Sequence, residues 1–246
     1  MKTICFSSLK GGSGKSSLSI LSAERLTRGG SRVLCIDLDI QNSLSYQLTK
    51  GAEPIDLERN MFRAFQDGDL AAQIHPSRSP GSPDFIISDL RLLDLQDRMA
   101  PLALRDLLSA VSARYDFLII DSAPTYNSLV TAAYCASDLV VIPVELSLFD
   151  LKSLHFLFSK LAELGLDRLA SRILINKYEA PKSAKDLVHE YVDLLEEGYG
   201  AQVLKARIPY SPLIRTLLDT GKALPRGAVS RALDAFVLEL RQGLAA

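Results

Sequence analysis

Apolar residues along this chain occur in two patterns, short continuous runs and longer stretches with helical spacing. The short runs, rich in Ile, Leu, Val and Phe, predict buried strands at residues 3–6, 32–37, 85–87, 117–121, 139–143 and 173–175. The longer stretches predict helices at residues 18–26, 57–65, 102–111, 148–164, 184–195 and 228–240. Because strands and helices alternate, the pattern predicts an α/β fold, a doubly wound and mainly parallel sheet with helices on both faces.

No change in composition interrupts this alternation, so we expect one domain over residues 1–246. The Gly-Gly pair at 29–30 is a stop signal for the first helix, and Asp-Gly at 67–68 ends the second. Residues 77–83 contain two prolines and a glycine and are predicted to form a loop within the domain.

A glycine-rich segment, KGGSGKSS at residues 10–17, separates the first strand from the first helix. A strand, a glycine-rich loop and a helix together are the context of a phosphate-binding loop, in which backbone N–H groups approach phosphate oxygens closely. Lys15 would reach the outer phosphates, and the Ser16 hydroxyl would bind Mg²⁺. The usual spacing would place a glycine at Leu9, and a dinucleotide fold would need Gly or Ala where Ser17 stands. A chance glycine-rich turn is the alternative.

Carboxylates stand at the ends of predicted strands. Asp121 ends one predicted strand and Asp37 ends another, with Asp39 two residues further on. In an open parallel sheet the carboxyl ends of the strands border the ligand crevice, so Asp121 is a candidate Mg²⁺ ligand opposite Ser16. Asp37 and Asp39 lie on one face if the strand extends that far, and they could divide Mg²⁺-water contact and water orientation between them. The alternative for each carboxylate is the cap of a following helix.

Four segments resemble the ParA/MinD family of partition ATPases, and they occur in the family's order. The loop with its extra lysine, Lys10, resembles the deviant Walker A motif, and residues 37–42 (DLDIQN) resemble the D-x-D-x-Q segment. Residues 117–124 (FLIIDSAP) resemble the Walker B motif. Ile-Pro at 208–209, followed by Thr-Gly-Lys at 220–222, resembles the late I-P…G-K segment. The resemblance covers nearly the whole chain and implies a P-loop NTPase fold of the deviant Walker A type.

The resemblance also implies roles for individual residues. Lys10 would reach across a homodimer to the partner's ATP, and Asp39 would position the attacking water while Asp37 stays on the metal side. The implied catalytic residues are Lys10, Lys15 and Asp39, and the implied metal ligands are Ser16, Asp37 and Asp121. The implied nucleotide contacts are Lys10, Gly11, Gly12, Ser13, Gly14, Lys15, Ser16, Ser17, Asn176 and Pro209. A solvated surface lysine remains the alternative for Lys10, and a turn asparagine for Asn176.

The implied function is a slow, partner-stimulated ATPase that uses ATP and Mg²⁺, dimerises in the ATP state and positions DNA or a protein cargo. The implied partner is a ParB-like or cargo adaptor protein. Nonspecific DNA binding would use basic residues near the C-terminus, although Tyr210 follows Ile-Pro where DNA-binding members commonly carry arginine. The candidate DNA contacts are Arg207, Arg215, Lys222 and Arg226, with Arg231 beside them. A solvated basic face is the alternative.

Net charge, −1, gives no overall attraction to nucleic acid or anionic lipid, so DNA binding would need a local patch. Residues 226–246 lack the basic cluster and aromatic anchors of a membrane-surface helix, so we rank membrane binding below DNA. The alternative function is a MinD-like, nucleotide-gated scaffold for protein or membrane partners that hydrolyses little ATP. An ATP-dependent ligase or reductase-activating relative is a third hypothesis, disfavoured by the absence of cysteine pairs and of an added substrate domain.

Three cysteines and three histidines, with no metal-ligand spacing, fit a reduced core and no metal site beyond Mg²⁺. The first predicted strand runs directly into the loop, so we expect no signal peptide. No apolar run reaches the roughly 20 residues that a membrane span needs. We therefore expect a cytoplasmic protein, associated with the nucleoid if it binds DNA.

Overall fold

The computed structural model describes residues 1–50, 54–166, 170–180, 187–220 and 224–245. Within these residues one sheet has the strand order β3-β2-β4-β1-β5-β6-β7, and every strand pair in it is parallel. The strands are β1 Lys2–Phe6, β2 Val33–Asp37, β3 Asp84–Ile86, β4 Phe117–Asp121, β5 Leu139–Val144, β6 Ala170–Tyr178 and β7 Val203–Pro209. The helices are α1 Lys15–Arg28, α2 Ser43–Thr49, α3 Met61–Asp67, α4 Ala103–Ser109, α5 Ser128–Cys135, α6 Leu148–Glu163, α7 Leu187–Tyr199, α8 Pro212–Thr220 and α9 Ala228–Ala245.

The predicted doubly wound α/β fold is confirmed, and its sheet is parallel throughout. The helix predicted at 57–65 begins later, at Met61, because the Asn60 side chain caps it by accepting a hydrogen bond from Arg63 N (3.0 Å). The first three residues of the helix predicted at 184–195 lie outside the described residues. Strand β7 was missed because Lys205 and Arg207 interrupt its apolar residues, which is the alternation expected of an edge strand with one face in water.

Two apolar layers cover the sheet, one on each face. Side chains alternate along β1, so that Ile4 and Phe6 pack into the layer with α1 and α9, while Cys5 enters the layer with α3 to α7. Phe6 meets Phe236 of α9 edge to face, with ring centroids 6.3 Å apart. Central strands buried on both faces explain why these segments read as continuous apolar runs.

Both outer strands of the sheet have backbone groups paired by neighbouring segments. Beside β7, the carboxylate of Glu239 on α9 accepts hydrogen bonds from Lys205 N (2.9 Å) and Ala206 N (2.8 Å). Beside β3, His75 pairs with Phe85 in an antiparallel bridge. These contacts cover strand edges that would otherwise present unpaired N–H and C=O groups.

The described helices include none that is long and apolar enough to cross a bilayer.

We predict that Glu239→Ala lowers the free energy of unfolding by about 1–3 kcal/mol, because two backbone N–H groups of β7 lose a charged acceptor. Urea denaturation followed by circular dichroism measures this loss. The matched control is Glu197→Ala on the exposed side of α7, which should change stability by less than about 0.5 kcal/mol. Equal effects of the two changes would contradict the role given to Glu239.

Candidate nucleotide site

A cavity of about 880 Å³ opens at the carboxyl edge of the sheet. On one side it is bordered by the glycine-rich loop and the start of α1, and on the other by the ends of β6 and β7 and by α8. Its volume lies in the range of small-molecule and cofactor sites. The predicted site residues on its wall are Gly11, Gly12, Gly14, Lys15, Ser16, Ser17, Asp39, Asn176 and Pro209. Lys10, Ser13, Asp37 and Asp121 lie behind or beside this wall.

The glycine-rich loop needs two of its glycines. Gly12 has φ of 78° and Gly14, which precedes α1, has φ of 95°, a region that other residues rarely adopt. A Cβ atom at Gly14 would also collide with the side-chain amide of Asn176. The amide Nδ2 of Asn176 donates to Ser13 O (2.7 Å), and Lys177 Nζ donates to Gly12 O (2.7 Å). The end of β6 therefore holds the loop through its carbonyl groups.

A β-bulge in β6 places these two side chains. Ile175 pairs with Arg207 and Tyr178 with Pro209, so two residues of β6 stand opposite one residue of β7. Bulges of this kind occur beside functional sites, where they redirect a side chain. Lys177 in the bulge has φ of 52°, in the left-handed region. Asn176 thus belongs to a strand and not to a turn, and its contact with the nucleotide stays a prediction.

Asp121 ends the central strand β4 and is completely buried. Neither of its carboxylate oxygens accepts a hydrogen bond of normal geometry from the described residues. Burial, and then the charge of Asp37, raises the pKa of Asp121 well above its ordinary value. The Ser16 hydroxyl and the charge of Lys15 act in the opposite direction but do not cancel this rise in the pKa. A buried carboxylate with so little compensation is costly, which is the condition expected where a cation completes the site.

Mg²⁺ fits the residues present here. The described residues contain no group of three or more Asp, Glu, His or Cys side chains that could hold a metal alone. Mg²⁺ needs no such group, because it commonly binds one or two carboxylates, waters and substrate phosphates. Asp121 and the Ser16 hydroxyl are the side chains that would hold it in this cavity.

Asp37 is engaged in contacts within the protein. Its Oδ2 accepts hydrogen bonds from Ser45 N (2.8 Å) and Ser45 Oγ (2.6 Å), and its Oδ1 accepts one from Asp39 N (3.0 Å). Burial raises its pKa to about 6 even though these hydrogen bonds act in the opposite direction. The contacts fit the helix-capping alternative, because Ser45 lies in the first turn of α2. We therefore assign no direct metal contact to Asp37.

Asp39 lies on the cavity wall and is 7% exposed. Gln41 N donates to its Oδ1 (2.9 Å), and within the described residues its Oδ2 accepts no hydrogen bond. That second oxygen is the one that could orient a water. Lys15 is similarly buried, and its ammonium lies 3.4 Å from Lys10 O. Burial lowers the pKa of Lys15 against the nearby charges of Asp121 and Asp39, and a phosphate would reverse that shift.

Lys10 points away from the cavity and belongs to an ion cluster formed by Lys10, Glu145, Asp150 and Lys177. Lys10 Nζ lies 2.9 Å from Glu145 Oε2 and 3.5 Å from Asp150 Oδ2, and Lys177 Nζ lies 2.6 Å from Glu145 Oε1. Although burial acts to lower it, contacts with Glu145 and Asp150 raise the pKa of Lys10. The predicted cross-dimer role is untested, and the alternative of a merely solvated lysine does not describe these contacts.

Sequence reasoning missed Glu145, Asp150 and Lys177. One signal for Asp150 could have been read, since Ser147 and Asp150 form a capping box at the start of α6. The pairing of Lys10 with Glu145 joins positions 135 residues apart, and no local pattern indicates it.

The structure distributes the candidate DNA contacts over several elements. Arg207 on β7 pairs with Glu196 (3.4 Å) and covers the ring of Tyr178, with its guanidinium carbon 5.1 Å from the ring centroid. Arg215 on α8 lines the cavity. Arg226 is exposed just before α9, and Lys222 lies outside the described residues. DNA binding by these residues stays a prediction.

Comparisons with known proteins support an assignment to one family. The family model AAA_31, described as an AAA domain, matches residues 1–173. The chromosome-partitioning ATPase Soj of Thermus thermophilus is 29% identical over 93% of this chain and 89% of its own. An ATP complex of McdA from Cyanothece has a TM-score of 0.84 at 22% identity, covering 100% of this chain and 96% of its own.

The same fold also occurs in a metabolic enzyme. Cobyrinic acid a,c-diamide synthase of Mycobacterium smegmatis, solved with an ATP analogue and magnesium, has a TM-score of 0.80 at 20% identity. It covers 98% of this chain, and this chain covers 94% of it. At these identities the structural likeness establishes the fold alone.

We predict that Asp121→Asn stabilises the nucleotide-free protein by about 1–3 kcal/mol, because it removes a buried carboxylate whose oxygens accept no hydrogen bond of normal geometry from the described residues. The raised pKa means that the native state holds this proton at higher pH than the unfolded chain does. The free energy of unfolding of wild type should therefore fall as pH rises above about 4, and that of Asp121→Asn should fall less over the same pH range. Urea denaturation at several pH values measures both effects.

The same variant should lose the extra thermal stability that ATP with Mg²⁺ gives to the wild type. Asp97→Asn, on the exposed surface, is the control and should keep that stabilisation. Two results together would contradict the assignment of Asp121 as a Mg²⁺ ligand. They are that Asp121→Asn is no more stable than wild type in the absence of nucleotide, and that Mg²⁺ with ATP still stabilises it.

Proposed function

Because the chain belongs to the ParA/MinD family of P-loop ATPases, we propose that it is a switch controlled by Mg²⁺ and ATP, which dimerises to position DNA or a protein cargo. ATP binding would close the dimer and create its DNA-binding surface. A ParB-like or cargo adaptor protein would stimulate slow hydrolysis and reopen it.

The contacts of Lys10 carry this proposal. Its ammonium lies against Glu145 and Asp150 of its own chain, while Gly11 and Gly12 beside it are exposed to solvent. Lys15 already stands in the loop as the cation for its own nucleotide. A second cation at the loop entrance has a use if it moves to the phosphates bound by another copy, much as an arginine finger does.

The remaining residues divide the work of hydrolysis. Backbone N–H groups of residues 11–16 and the Lys15 ammonium would hold the phosphates, and Asp39 Oδ2 would orient the attacking water. Asp121 and Ser16 would hold Mg²⁺, which neutralises charge on the outer phosphates when bound. With Lys10 arriving only from a second copy, hydrolysis would stay slow until the dimer closes.

Two alternatives are less well supported. A metabolic enzyme, cobyrinic acid a,c-diamide synthase, shares the fold, but fold alone does not assign function. For a membrane-bound scaffold, α9 would have to offer an apolar face to lipid. Instead Leu233, Phe236 and Leu240 of α9 are buried in the core.

We predict that wild type and Asp39→Ala form dimers with ATP and Mg²⁺. Lys10→Ala should remain monomeric at protein concentrations at least about tenfold above that at which wild type dimerises. The reason is that Asp39 serves the water while Lys10 serves the closed dimer. Multi-angle light scattering measures the dimer fraction. Lys2→Ala, which removes a lysine at the opposite edge of the sheet, is the matched control. If all of these proteins bind ATP and remain monomeric, the switch proposal fails.

For DNA, we predict binding by the ATP-bound dimer that weakens strongly between about 50 and 200 mM salt, because each phosphate contact releases condensed counterions. A plot of the logarithm of the DNA-binding constant against the logarithm of the salt concentration has a negative slope. Arg226→Gln should make this slope less steep by about one for each copy whose Arg226 contacts DNA, whereas Arg105→Gln on α4 should leave it unchanged. Fluorescence anisotropy with a labelled duplex measures the slope. Absence of binding at both salt concentrations would favour the scaffold alternative, which does not bind DNA.

A further inference from the structure

We propose that Lys177 is the positioning residue that allows Lys10 to leave its own chain, because it keeps Glu145 paired once Lys10 has moved to the nucleotide of a second copy. This inference rests on the proposed function, in which Lys10 acts across a dimer. It assigns to Lys177 a role in the switch that is separate from nucleotide contact.

The two lysines share one carboxylate. Lys10 Nζ lies 2.9 Å from Oε2 of Glu145, with hydrogen-bond geometry, and Lys177 Nζ lies 2.6 Å from Oε1. The second contact is an ion pair whose angles do not meet hydrogen-bond geometry, so each oxygen has an ammonium beside it. Glu145 is only 21% exposed on its side chain, and an unpaired charge there would be costly. Although burial raises it, contacts with Lys177 and then Lys10 lower the pKa of Glu145. With Lys177 present, Glu145 keeps a close partner after Lys10 departs.

Asp150 likewise does not depend on Lys10. It is 3% exposed, and its Oδ2 accepts hydrogen bonds from Ser147 N (3.1 Å) and from the Ser147 hydroxyl. It also lies in the first turn of α6, where the helix dipole favours negative charge. The contact with Lys10, at 3.5 Å, is longer than either contact with Ser147. Departure of Lys10 therefore leaves both carboxylates with a partner.

Lys177 itself is held in place. Its backbone is set by the bulge of β6 with φ of 52°, and its ammonium also donates to Gly12 O at 2.7 Å. Lys10 has no comparable side-chain contact with a loop carbonyl among the described residues. The cluster thus contains one cation that stays and one that can leave.

We expect Lys177→Gln to weaken the ATP-dependent dimer about fivefold, because release of Lys10 would then leave Glu145 unpaired. Glu145→Gln removes the carboxylate that retains Lys10. In the double variant Lys177→Gln with Glu145→Gln, the dimer dissociation constant should therefore return to the wild-type value or fall below it. Sedimentation velocity over a range of protein concentrations measures that constant, with Mg²⁺ and a non-hydrolysable ATP analogue at saturation.

Lys177→Arg keeps the charge and should restore most of the affinity, and Lys2→Gln is the matched charge control. A Lys177 that only braces the loop at Gly12 would give a defect that Glu145→Gln does not relieve, and that result overturns the inference. An unchanged dimer in Lys177→Gln overturns it as well. If wild type itself stays monomeric with the analogue bound, the proposed function fails and the inference fails with it.

Discussion

The parallel direction of the strands is the constraint on which the site depends. Every strand of the sheet ends at the same edge, so a polar residue placed after any strand arrives beside those of its neighbours. The strand order then divides the edge by charge. On one side of β1, Asp37 and Asp121 end β2 and β4, and Asp39 follows β2. On the other side, Glu145 follows β5 and Lys177 lies in β6. The glycine-rich loop lies between a side of carboxylates, the candidate Mg²⁺ ligand Asp121 among them, and an ion-paired side.

Residues with strained backbone conformations also lie at the carboxyl edge of the sheet. The non-glycine residues with positive φ in the described part of the chain are Asn42, Leu146 and Lys177. Asn42 follows the Asp39 segment, Leu146 separates Glu145 from the capping Ser147, and Lys177 lies in the bulge of β6. Such conformations cost of order 1–3 kcal/mol each and persist where the surroundings enforce them. Their position indicates that this edge is built for placing side chains more than for stability.

Much of this arrangement could be predicted from the sequence, and the limits have physical causes. Strand type, the parallel sheet and the loop follow from apolar runs and glycine spacing, which are local signals. The contacts of Asp37 with Ser45 could not be read, because a carboxylate after a strand suits either a cap or a metal. The sharing of Glu145 by Lys10 and Lys177 depends on three separate strands meeting at one edge, which only the folded chain determines.

The covered outer strands have a consequence for assembly. Glu239 occupies N–H groups of β7, and His75 pairs with Phe85 on β3, so another copy finds little unpaired backbone at either end of the sheet. Association by strand addition leads to open, growing arrays, whereas contact through one self-complementary face leads to a closed pair with two-fold symmetry. The contacts at the two sheet ends therefore disfavour growth of this fold by strand addition.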